Sequence, residues 1–586
     1  MIPTVREYLK KNILIFDGAM GTYYAGRGRH LSAQCELANL NEPREILNIQ
    51  KAYIKAGAVA IKTNTFALNP VNYPEPSKME ELISAGYRIA CEAAGEEAYV
   101  FADIGPVWEM NAGKRKEMLG KVTGIFLDLG AENFLFETQG DTEGIPEAIR
   151  MIRSRREDAF VIVSFAVSPD GFSINGIHIK ELAGSVPEAD AVGMNCTCVP
   201  VHMRRQLGFI PKDGRPVSIM PNGAYAGGSN SYYEANPRFF AEEMRRIAQD
   251  GVSILGGCCG TTPEHIRMLA EEVAGMEPSG LNVTEETATK LKNIRVPKNR
   301  LDEKIAEGKR VICVEFDPPK DADLDAFMEG ARELKEAGID AMTIADCPIA
   351  RVSVDSSLLA CKVKRELDLD VIPHMTCRDR NMNASKALLL GLYGEGVRNV
   401  LLVTGDPIPL EERESMKGVF QFDSVRFARY VNAFAERELN APFSVYGALN
   451  VNALNFKVEL EHAQRKLDAG VKGFLTQPVM TEYAVDNVRA AKETLKDALI
   501  LGGIMPVLSE RNARYMHEQI SGIRLEPETI ERFAGLDRQQ GEELGLRLAV
   551  EWAKMIRPWT DGYYLITPFR RTGLMARLVK TIRTAG

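Results

Sequence analysis

Three cysteines occur in sequence surroundings that suit a metal site. Cys258 and Cys259 are adjacent and lie between glycines in GGCCGTTPEH, and Cys196 ends the segment GMNC. Zinc favours thiolate ligands at about 2.3 Å, and a catalytic zinc keeps its fourth position open for a substrate. The glycines allow the tight backbone that two adjacent ligands need. These residues predict a zinc–thiolate centre with one open position.

The other cysteines have a simpler interpretation. Single cysteines are common in protein cores, and we expect this for Cys35, Cys91, Cys313 and Cys361. Cys198 lies next to the metal-binding set but outside its motif, and we treat it as spare. The chain has ten cysteines and no evident export signal at its N-terminus, so we expect reduced thiols and a cytoplasmic protein.

A second group of polar residues ends short apolar segments in the other half of the chain. The group comprises Glu315 in VEFDPP, Thr343 in AMTIAD, His374 in PHMTC, Asp406 in TGDP and Gln477 in LTQP. Each has a plain structural interpretation by itself, because a histidine is often a core residue and Gly-Asp-Pro is often a turn. Five such groups that converge on one rim exceed what packing requires. Together they predict a polar site for a cofactor or substrate.

The apolar pattern supplies a scaffold that brings such distant residues together. Short β-branched runs alternate with amphipathic helical segments, and each run is apolar on both faces, as buried parallel strands are. The runs span 13–18, 58–66, 98–106, 133–138, 160–167, 191–196, 217–223 and 252–260 in the first half, and 311–319, 341–346, 371–377, 399–407, 443–450, 473–479, 499–507 and 563–569 in the second. Eight runs in each half predict an α/β fold of two (β/α)8 TIM barrels in tandem, with functional residues at the carboxyl ends of the strands.

The domain limits follow from composition. Segment 276–300 is polar, has weak apolar periodicity and contains two prolines, which is typical of a linker. We therefore predict one domain over 1–275, a linker over 276–300 and a second domain over 301–586. The helical content around 508–561 exceeds that of one connection, so an additional helix is expected there.

Charge and hydropathy exclude two classes of partner. The 586 residues include 72 basic and 80 acidic ones, with a net charge of -8 and no block of lysine or arginine, so we expect no nucleic acid partner. No run of about 18 apolar residues occurs, so we expect no membrane span. The sequence leaves open whether the chain forms a homo-oligomer.

The first half resembles a known enzyme family. Similarity to the zinc-dependent homocysteine methyltransferases lies in DGAMGT (17–22), KTNTF (62–66), FET (136–138), GMNC (193–196) and GGCCGTTPEHI (256–266). The resemblance implies Cys196, Cys258 and Cys259 as zinc ligands and homocysteine as substrate. It also implies that the amino acid end of homocysteine is held by Asp17, Gly18, Thr63 and Glu137. Carboxylates suit the ammonium group, and backbone amides suit the carboxylate.

The methyl donor of the first half stays open. Segment ADIGPVWEMN (102–111) departs from the glycine-rich loop expected on the donor side of the pocket, and the chain contains no Asp-x-His-x-x-Gly signature for a bound corrinoid. Three alternatives follow. Methyltetrahydrofolate donates its methyl group through a separate corrinoid protein, a sulfonium such as S-methylmethionine donates the methyl group, or the methyl group passes directly from the folate to homocysteine.

The second half resembles methylenetetrahydrofolate reductase over about 301–586. The similarity lies in VEFDPPK, PHMTCRDRN, LLVTGDP and FLTQPV. The folate-binding barrel of methionine synthase is a less suitable match, because its Asn-x-x-Gly-Glu-Arg signature is absent. The resemblance implies a flavin-binding barrel with FAD as cofactor. It also implies methylenetetrahydrofolate as substrate and NAD(P)H or another reductant as electron source.

The resemblance also assigns roles to individual residues of the second half. Glu315 and Asp406 are implied as catalytic: Glu315 protonates the folate nitrogen, and the charge of Asp406 favours the developing cation. Gln477, with Glu315, binds the folate. Flavin contacts are implied for Thr343, His374, Gly405, Asp406 and Lys466. Thr404, Val451 and Asn455 replace an arginine, an aromatic residue and a histidine that are frequent in relatives, which leaves the choice of FAD over FMN open.

The sequence therefore predicts a bifunctional one-carbon enzyme. Its second barrel reduces 5,10-methylenetetrahydrofolate to 5-methyltetrahydrofolate through a flavin, and its first barrel methylates homocysteine on zinc to give methionine. The alternative is an active reductase whose first barrel serves as a homocysteine-binding or assembly module.

Overall fold

Two compact units, Met1–Thr287 and Ala288–Gly586, make up the chain. The structure is a computed structural model that describes residues 2–27, 35–108, 112–223, 236–283, 296, 298–408, 417–520 and 522–584. Each unit contains an eight-stranded parallel sheet. The prediction of two (β/α)8 barrels is thereby confirmed.

The sheet of the first unit forms a ring. Its strands are β1 (Leu14–Ile15), β2 (Ala60–Lys62), β3 (Tyr99–Ile104), β4 (Asn133–Gln139), β5 (Phe160–Phe165), β6 (Ala191–Asn195), β7 (Val217–Met220) and β8 (Ile254–Leu255). Strands β2 to β8 pair in sequence order, and β8 pairs with β1. A parallel bridge between Phe16 and Ala60 joins β1 to β2 and completes the ring. Each strand coincides with a run that the apolar pattern predicted.

Helices cover the outside of the first ring. They are α1 (Val5–Tyr8), α2 (Gly21–Gly26), α3 (Ala38–Asn41), α4 (Pro43–Lys55), α5 (Pro76–Ala94), α6 (Ala112–Asp128), α7 (Ile145–Arg155), α8 (Ile179–Gly184), α9 (Pro200–Gln206), α10 (Pro237–Gln249) and α11 (Pro263–Glu272). Helix α10 shows how the sequence sets a boundary. Asn236 caps it by accepting a hydrogen bond from Phe239 N–H, and Pro237 stands where no N–H is needed.

The second unit is a closed barrel of the same kind. Its strands are β9 (Val311–Glu315), β10 (Ala341–Ile344), β11 (Asp370–Thr376), β12 (Asn399–Val403), β13 (Ser444–Leu449), β14 (Gly473–Pro478), β15 (Leu499–Ile504) and β16 (Gly562–Ile566). Each pairs in parallel with the next, and β16 pairs with β9. These strands also coincide with the predicted runs.

The helices of the second unit include the additional segment that the sequence predicted. They are α12 (Arg300–Ala306), α13 (Asp325–Glu336), α14 (Ser356–Leu367), α15 (Met382–Gly394), α16 (Ser424–Glu438), α17 (Phe456–Asp468), α18 (Glu482–Thr494), α19 (Glu510–Gln519), α20 (Pro527–Glu531), α21 (Arg538–Ile556) and α22 (Thr572–Thr584). Helices α19 and α20 precede α21 between β15 and β16, which confirms the expected extra helix. Within the described part of the chain, no helix combines the length and apolar character that crossing a bilayer requires.

Packed side chains fill both barrel interiors. Phe16, Phe101 and Met220 belong to a buried cluster inside the first ring, and Leu301 joins the corresponding cluster of the second barrel from α12. Leu301 N–H donates to the Asp370 carboxylate at 2.8 Å, which fixes α12 at the amino end of the strands. Because the interiors are closed by packing, polar chemistry is confined to the carboxyl ends of the strands.

Part of the predicted linker packs on the first unit. Leu281 and Val283 lie against its core, and Asn282 N–H donates to the Asp250 carbonyl at 3.1 Å. Residues 284–295 and 297 of the segment lie outside the described residues. The exact domain limits therefore stay a prediction.

Substitution of Gly193 tests how closely the strands of the first ring pack. A Cβ added at Gly193 on β6 would overlap the carbonyl of Ser218 on β7, so Gly193→Ala is expected to destabilise the unit by at least about 2 kcal/mol. The measurement is urea denaturation followed by the fluorescence of Trp108, the single tryptophan of residues 1–287.

Gly184→Ala is the matched control for this substitution. No atom lies within 4 Å of a Cβ added at Gly184, at the end of α8, so its stability should stay within about 1 kcal/mol of the parent. Equal stability of the two variants would contradict the described strand pairing.

Candidate active sites

The three predicted metal ligands meet at the rim of the first barrel. Cys196 follows β6, and Cys258 and Cys259 follow β8. The sulfurs of Cys196 and Cys259 lie 3.9 Å apart, and all three sulfurs lie within 4.8 Å of one another. A tetrahedral zinc with bonds of about 2.3 Å would place its sulfurs about 3.8 Å apart. The three thiols therefore fit a zinc ion that keeps one open position.

The backbone that presents Cys196 is strained. Cys196 and Thr197 both have positive φ angles, 56° and 50°, a conformation that costs about 1–2 kcal/mol for a residue with a side chain. Two contacts hold the turn: Thr197 Oγ1 donates to the Val167 carbonyl at 2.7 Å, and Cys198 Sγ contacts the same oxygen at 3.0 Å. Cys198 thus supports the ligand loop rather than joining the sulfur cluster.

Two predicted substrate-binding carboxylates lie beside a buried lysine. Asp17 is 1% exposed, and its Oδ2 accepts the Lys62 backbone N–H at 3.0 Å. The Lys62 ammonium lies 3.4 Å from Asp17 Oδ1 and 3.8 Å from Glu137 Oε2. Burial raises the pKa of Asp17, and the charge of Lys62 opposes that rise. The sequence reasoning missed Lys62, because a lysine at a strand end usually extends into solvent.

Asn195 connects Glu137 to the metal-binding loop. Its Nδ2 donates to Thr138 Oγ1 at 2.7 Å and contacts Glu137 Oε2 at 3.4 Å, while its Oδ1 accepts the Thr138 N–H at 2.8 Å. Because Asn195 directly precedes Cys196, one residue orients both the carboxylate and the first sulfur ligand. The adjacent asparagine in GMNC was the available signal for this role.

The Thr63 hydroxyl already forms hydrogen bonds within the protein. Its hydroxyl accepts the Asp103 N–H at 3.0 Å and lies 2.6 Å from Thr65 Oγ1. Thr65 donates its own proton to the Asp103 carbonyl, so the Thr63 proton goes to Thr65. One lone pair of the Thr63 hydroxyl stays unused, but the side chain is fully buried. Its predicted contact with the substrate stays a prediction.

Several residues of the first site line one cavity of about 370 Å³. The lining includes Lys62, Asp103, Glu137 and the three metal-binding cysteines. Gly18 precedes the lining residue Ala19, and a Cβ at Gly18 would lie 2.6 Å from Thr261 Oγ1, so no side chain fits. Asn222 follows β7 with its Oδ1 buried and without a hydrogen-bond partner among the described residues. Asp103 and Asn222 are further polar candidates that the sequence reasoning did not select.

The expectation for the single cysteines is only partly correct. Cys35 and Cys313 are buried as predicted, and Cys361 is partly buried, but Cys91 is exposed. Helix α5 turns Ala90 toward the core and leaves Cys91 on its outer face. The prediction of a buried Cys91 was therefore wrong, because a residue type does not by itself fix which face of a helix it occupies.

Glu315 lies in a compact polar group at the rim of the second barrel. Tyr564 donates its hydroxyl proton to Glu315 Oε2, and His374 Nε2 lies 3.5 Å from the same oxygen. Among the described residues, no donor contacts Glu315 Oε1. One carboxyl oxygen is therefore held by the protein while the other is available to a ligand.

The surroundings of Glu315 keep its carboxyl group neutral. Burial raises the pKa of Glu315 to about 8, the charge of Asp317 adds to the rise, and the hydrogen bond from Tyr564 opposes it. Burial also lowers the pKa of His374 to about 4, against the charge of Asp346. At neutral pH the site therefore holds a protonated carboxylic acid beside an uncharged imidazole.

Two predicted flavin contacts present polar atoms that the protein leaves unsatisfied. Thr343 Oγ1 and His374 Nε2 are buried and have no hydrogen-bond partner among the described residues. Gly405 has a φ of 95°, and a Cβ there would lie 3.1 Å from the Thr376 Cβ. These features leave hydrogen-bonding capacity and space for a bound group, so the residues fit a flavin.

The remaining predicted residues lie on neighbouring strand ends and loops. Asp406 is exposed after β12, and its carbonyl accepts a hydrogen bond from the buried Arg378 at 3.3 Å. Gln477 is partly buried on β14. Lys466 on α17 donates to the Ala448 carbonyl at 2.8 Å, and burial lowers its pKa against the charge of Glu459. Their ligand contacts stay predictions.

Tyr564 is the residue of the second site that the sequence reasoning missed. It lies in the apolar run YYLITPF, where an aromatic residue is typical of core packing. The register pairs Tyr564 with Cys313, two residues before Glu315 on β9. The ring therefore starts inside the barrel and reaches the acid at the rim, a contact that only the barrel register reveals.

The fold and the two sites define a protein of tandem parallel α/β barrels, each with a polar site at its strand ends. Residues 14–273 match the family model for homocysteine S-methyltransferase, and residues 300–567 match the model for methylenetetrahydrofolate reductase. The two segments of the chain are thus similar to two different enzyme families, one in each unit.

Two curated relatives match part of the chain. Methionine synthase from Mycobacterium leprae is 31% identical over 306 residues, covering 46% of this chain and 25% of that protein. Methionine synthase from Mycobacterium tuberculosis is 31% identical over 304 residues, with the same shares covered. The chain therefore spans about a quarter of the length of these relatives.

Two solved structures are similar to part of the chain. The homocysteine methyltransferase MmuM from Escherichia coli, in its metallated form, has a TM-score of 0.39 and 20% identity, covering 46% of this chain and 99% of its own. An uncharacterized protein from Clostridium thermocellum that binds two copies of 5-methyl-5,6,7,8-tetrahydrofolic acid has a TM-score of 0.38 and 14% identity, covering 49% of this chain and 100% of its own.

The neutral state of Glu315 predicts a pH-dependent stability. Its pKa rises from 4.5 in the unfolded chain to about 8 in the folded one, so the folded state binds more protons between these values. Stability is therefore lost as pH rises through this range. Glu315→Gln, which is neutral throughout, should gain roughly 2–4 kcal/mol relative to the parent between about pH 5 and pH 9.

The measurement is urea denaturation of the second unit, followed by the fluorescence of Trp552 and Trp559. Glu329→Gln, at an exposed position of α13, is the matched control and should follow the parent at each pH. A parent and a Glu315→Gln variant with parallel pH profiles would show that Glu315 is ionised in the folded protein.

Proposed function

We propose that the chain is a bifunctional one-carbon enzyme. Residues 14–273 transfer a methyl group to the sulfur of homocysteine, and residues 300–567 reduce 5,10-methylenetetrahydrofolate to 5-methyltetrahydrofolate. The family matches of the two segments support both activities. The arrangement of three thiols beside a carboxylate-lined cavity carries the first assignment, and the neutral Glu315 at the second rim carries the other.

The first site suits a thiol substrate that carries an ammonium group. Cys196, Cys258 and Cys259 would hold zinc, which lowers the pKa of a coordinated thiol and so provides a nucleophile near neutral pH. Asp17 and Glu137 supply negative charge for the ammonium end. Asn195 keeps Glu137 at a fixed position relative to the sulfur cluster. The site therefore selects a small amino acid whose sulfur reaches the metal.

The second site suits reductive opening of the methylene bridge of the folate. Thr343, His374, Gly405, Asp406 and Lys466 would hold FAD, which in its reduced form supplies a hydride. The chain's own contribution is proton transfer: neutral Glu315 carries its proton on Oε1, because Oε2 accepts the hydrogen bond from Tyr564. Donation of that proton to the folate nitrogen makes the nitrogen a better leaving group.

The remaining groups of the second site act on charge and orientation. The carboxylate of Asp406 would favour the cation that forms when the bridge opens. Gln477 offers an amide whose donor and acceptor match the edge of a pterin ring. NAD(P)H or another reductant would reduce the flavin before the folate binds.

Cys258→Ser tests the metal assignment of the first site. Loss of one of three thiolate ligands should remove stoichiometric zinc and homocysteine methylation, while folate reduction stays within about twofold of the parent. Zinc is measured by atomic emission, and methionine is measured in a screen of sulfonium and folate donors.

Cys91→Ser is the matched control, because Cys91 is exposed on the outer face of α5 and does not belong to the cluster. It should retain zinc. Zinc bound equally well by the Cys258→Ser variant would reject the three-thiol site. Zinc-loaded parent protein that methylates no homocysteine with any donor would support a binding or assembly role for the first barrel.

Tyr564→Phe tests the proton donor of the second site. Its hydroxyl stabilises the ionised form of Glu315, so its removal should raise the pKa of Glu315 and weaken the acid. We expect the alkaline limb of folate reduction to shift upward by about one pH unit and the rate to fall roughly tenfold. Flavin reduction by the electron donor should be unchanged. Stopped-flow absorbance separates the two half-reactions.

Tyr563→Phe is the matched control on the same strand, because Tyr563 donates to the Ala553 carbonyl at 3.0 Å, outside the site. It should leave the pH profile unchanged. An unshifted alkaline limb in the Tyr564→Phe variant would show that the hydrogen bond does not act on the catalytic proton.

A further inference from the structure

Lys62 is a buried cation whose hydrogen-bonding capacity the protein does not use. Its side chain is 9% exposed and lines the cavity that also contains the three metal-binding thiols. No short hydrogen bond joins the ammonium nitrogen to a described residue. Its ion-pair distances of 3.4 Å to Asp17 and 3.8 Å to Glu137 exceed the roughly 2.7–2.9 Å of a charge-assisted hydrogen bond.

The neighbouring carboxylates explain why Lys62 is charged but leave its donors free. Burial opposes the charge, but Glu137 and Asp17 outweigh burial and hold the pKa of Lys62 well above its ordinary value. A buried ammonium normally requires hydrogen bonds as well as opposite charge. Since neither carboxylate forms a short hydrogen bond with the Lys62 ammonium, donor capacity remains for an anionic group inside the cavity.

We propose that Lys62 binds the α-carboxylate of the amino acid substrate. This proposal rests on the homocysteine assignment above and adds the group that selects the acid end of the molecule. Glu137 would pair with the α-ammonium and Lys62 with the α-carboxylate, while the sulfur extends to the three-thiol site. An acidic residue and a lysine side by side match the two charges of an α-amino acid zwitterion.

The competing explanation is that Lys62 serves only as a counter-ion that keeps Asp17 and Glu137 in place. The two roles differ in which ligands they affect. A carboxylate-binding lysine contributes only to ligands that carry a carboxylate. A counter-ion affects every ligand that uses the two acidic residues, whether or not that ligand carries a carboxylate.

Isothermal titration of the zinc-loaded full chain with three thiol-containing ligands separates these two roles. Homocysteine carries both charged groups, 3-mercaptopropylamine lacks the carboxylate, and 4-mercaptobutanoate lacks the ammonium. Lys62→Met should weaken the binding of homocysteine and of 4-mercaptobutanoate by roughly 10- to 100-fold. It should leave 3-mercaptopropylamine unchanged or bound more tightly, because the cavity becomes more negative. Lys55→Met, at an exposed position of α4, is the matched control and should change none of the affinities.

If Lys62→Met weakens the binding of homocysteine and of 3-mercaptopropylamine equally, the proposal is overturned and the homocysteine assignment stays intact. Absence of homocysteine binding to the zinc-loaded parent chain would instead overturn the assignment itself, and the role of Lys62 with it.

Lys62→Met leaves two buried carboxylates without their cation, and this can prevent folding. The double variant Lys62→Met/Asp17→Asn removes one positive and one negative charge and restores the balance of the cavity. Because Asp17 also contributes to the ammonium site, both ligands should bind more weakly than they bind the parent, and homocysteine should have no advantage over 3-mercaptopropylamine. A preference for homocysteine equal to that of the parent, in either variant, would contradict carboxylate binding by Lys62.

Discussion

The parallel hydrogen-bonded ring is the constraint on which both sites depend. In the first unit a single bridge between Phe16 and Ala60 joins the first two strands, and in the second unit β16 pairs along five residues with β9. Because all strands in a ring run in the same direction, their carboxyl ends meet at one rim. Residues far apart in sequence, such as Cys196 and Cys258, become neighbours through this geometry.

The two rims differ in the charge state of their buried ionisable groups. The first keeps Lys62 charged among carboxylates, as suits a zwitterionic substrate. The second keeps Glu315 neutral by burial, so that a proton is available at neutral pH. Exclusion of water acts on the two groups in different ways: it opposes the charge of Lys62, which the neighbouring carboxylates maintain, and it keeps Glu315 protonated. The packed layers beneath the rims provide that exclusion.

Most of the fold could be predicted from sequence because strand periodicity and strand-end polarity are local signals. The runs around Val311 and Phe160 are apolar on both faces, and the glycines beside Cys258 and Cys259 indicate a pair of metal ligands. Contacts that depend on register could not be predicted. Tyr564 lies in an apolar run, and Lys62 ends a strand like any surface lysine, so their roles appear only when neighbouring strands are placed beside them. Residues 109–111 of the segment that departs from the expected donor loop lie outside the described residues.

X-ray absorption at the zinc edge of the metal-loaded chain tests the meeting of distant residues at one rim most directly. The account predicts three sulfur neighbours at about 2.3 Å and a fourth sulfur when homocysteine is added. Two or fewer sulfurs in the resting spectrum, or no added sulfur with homocysteine, would contradict it.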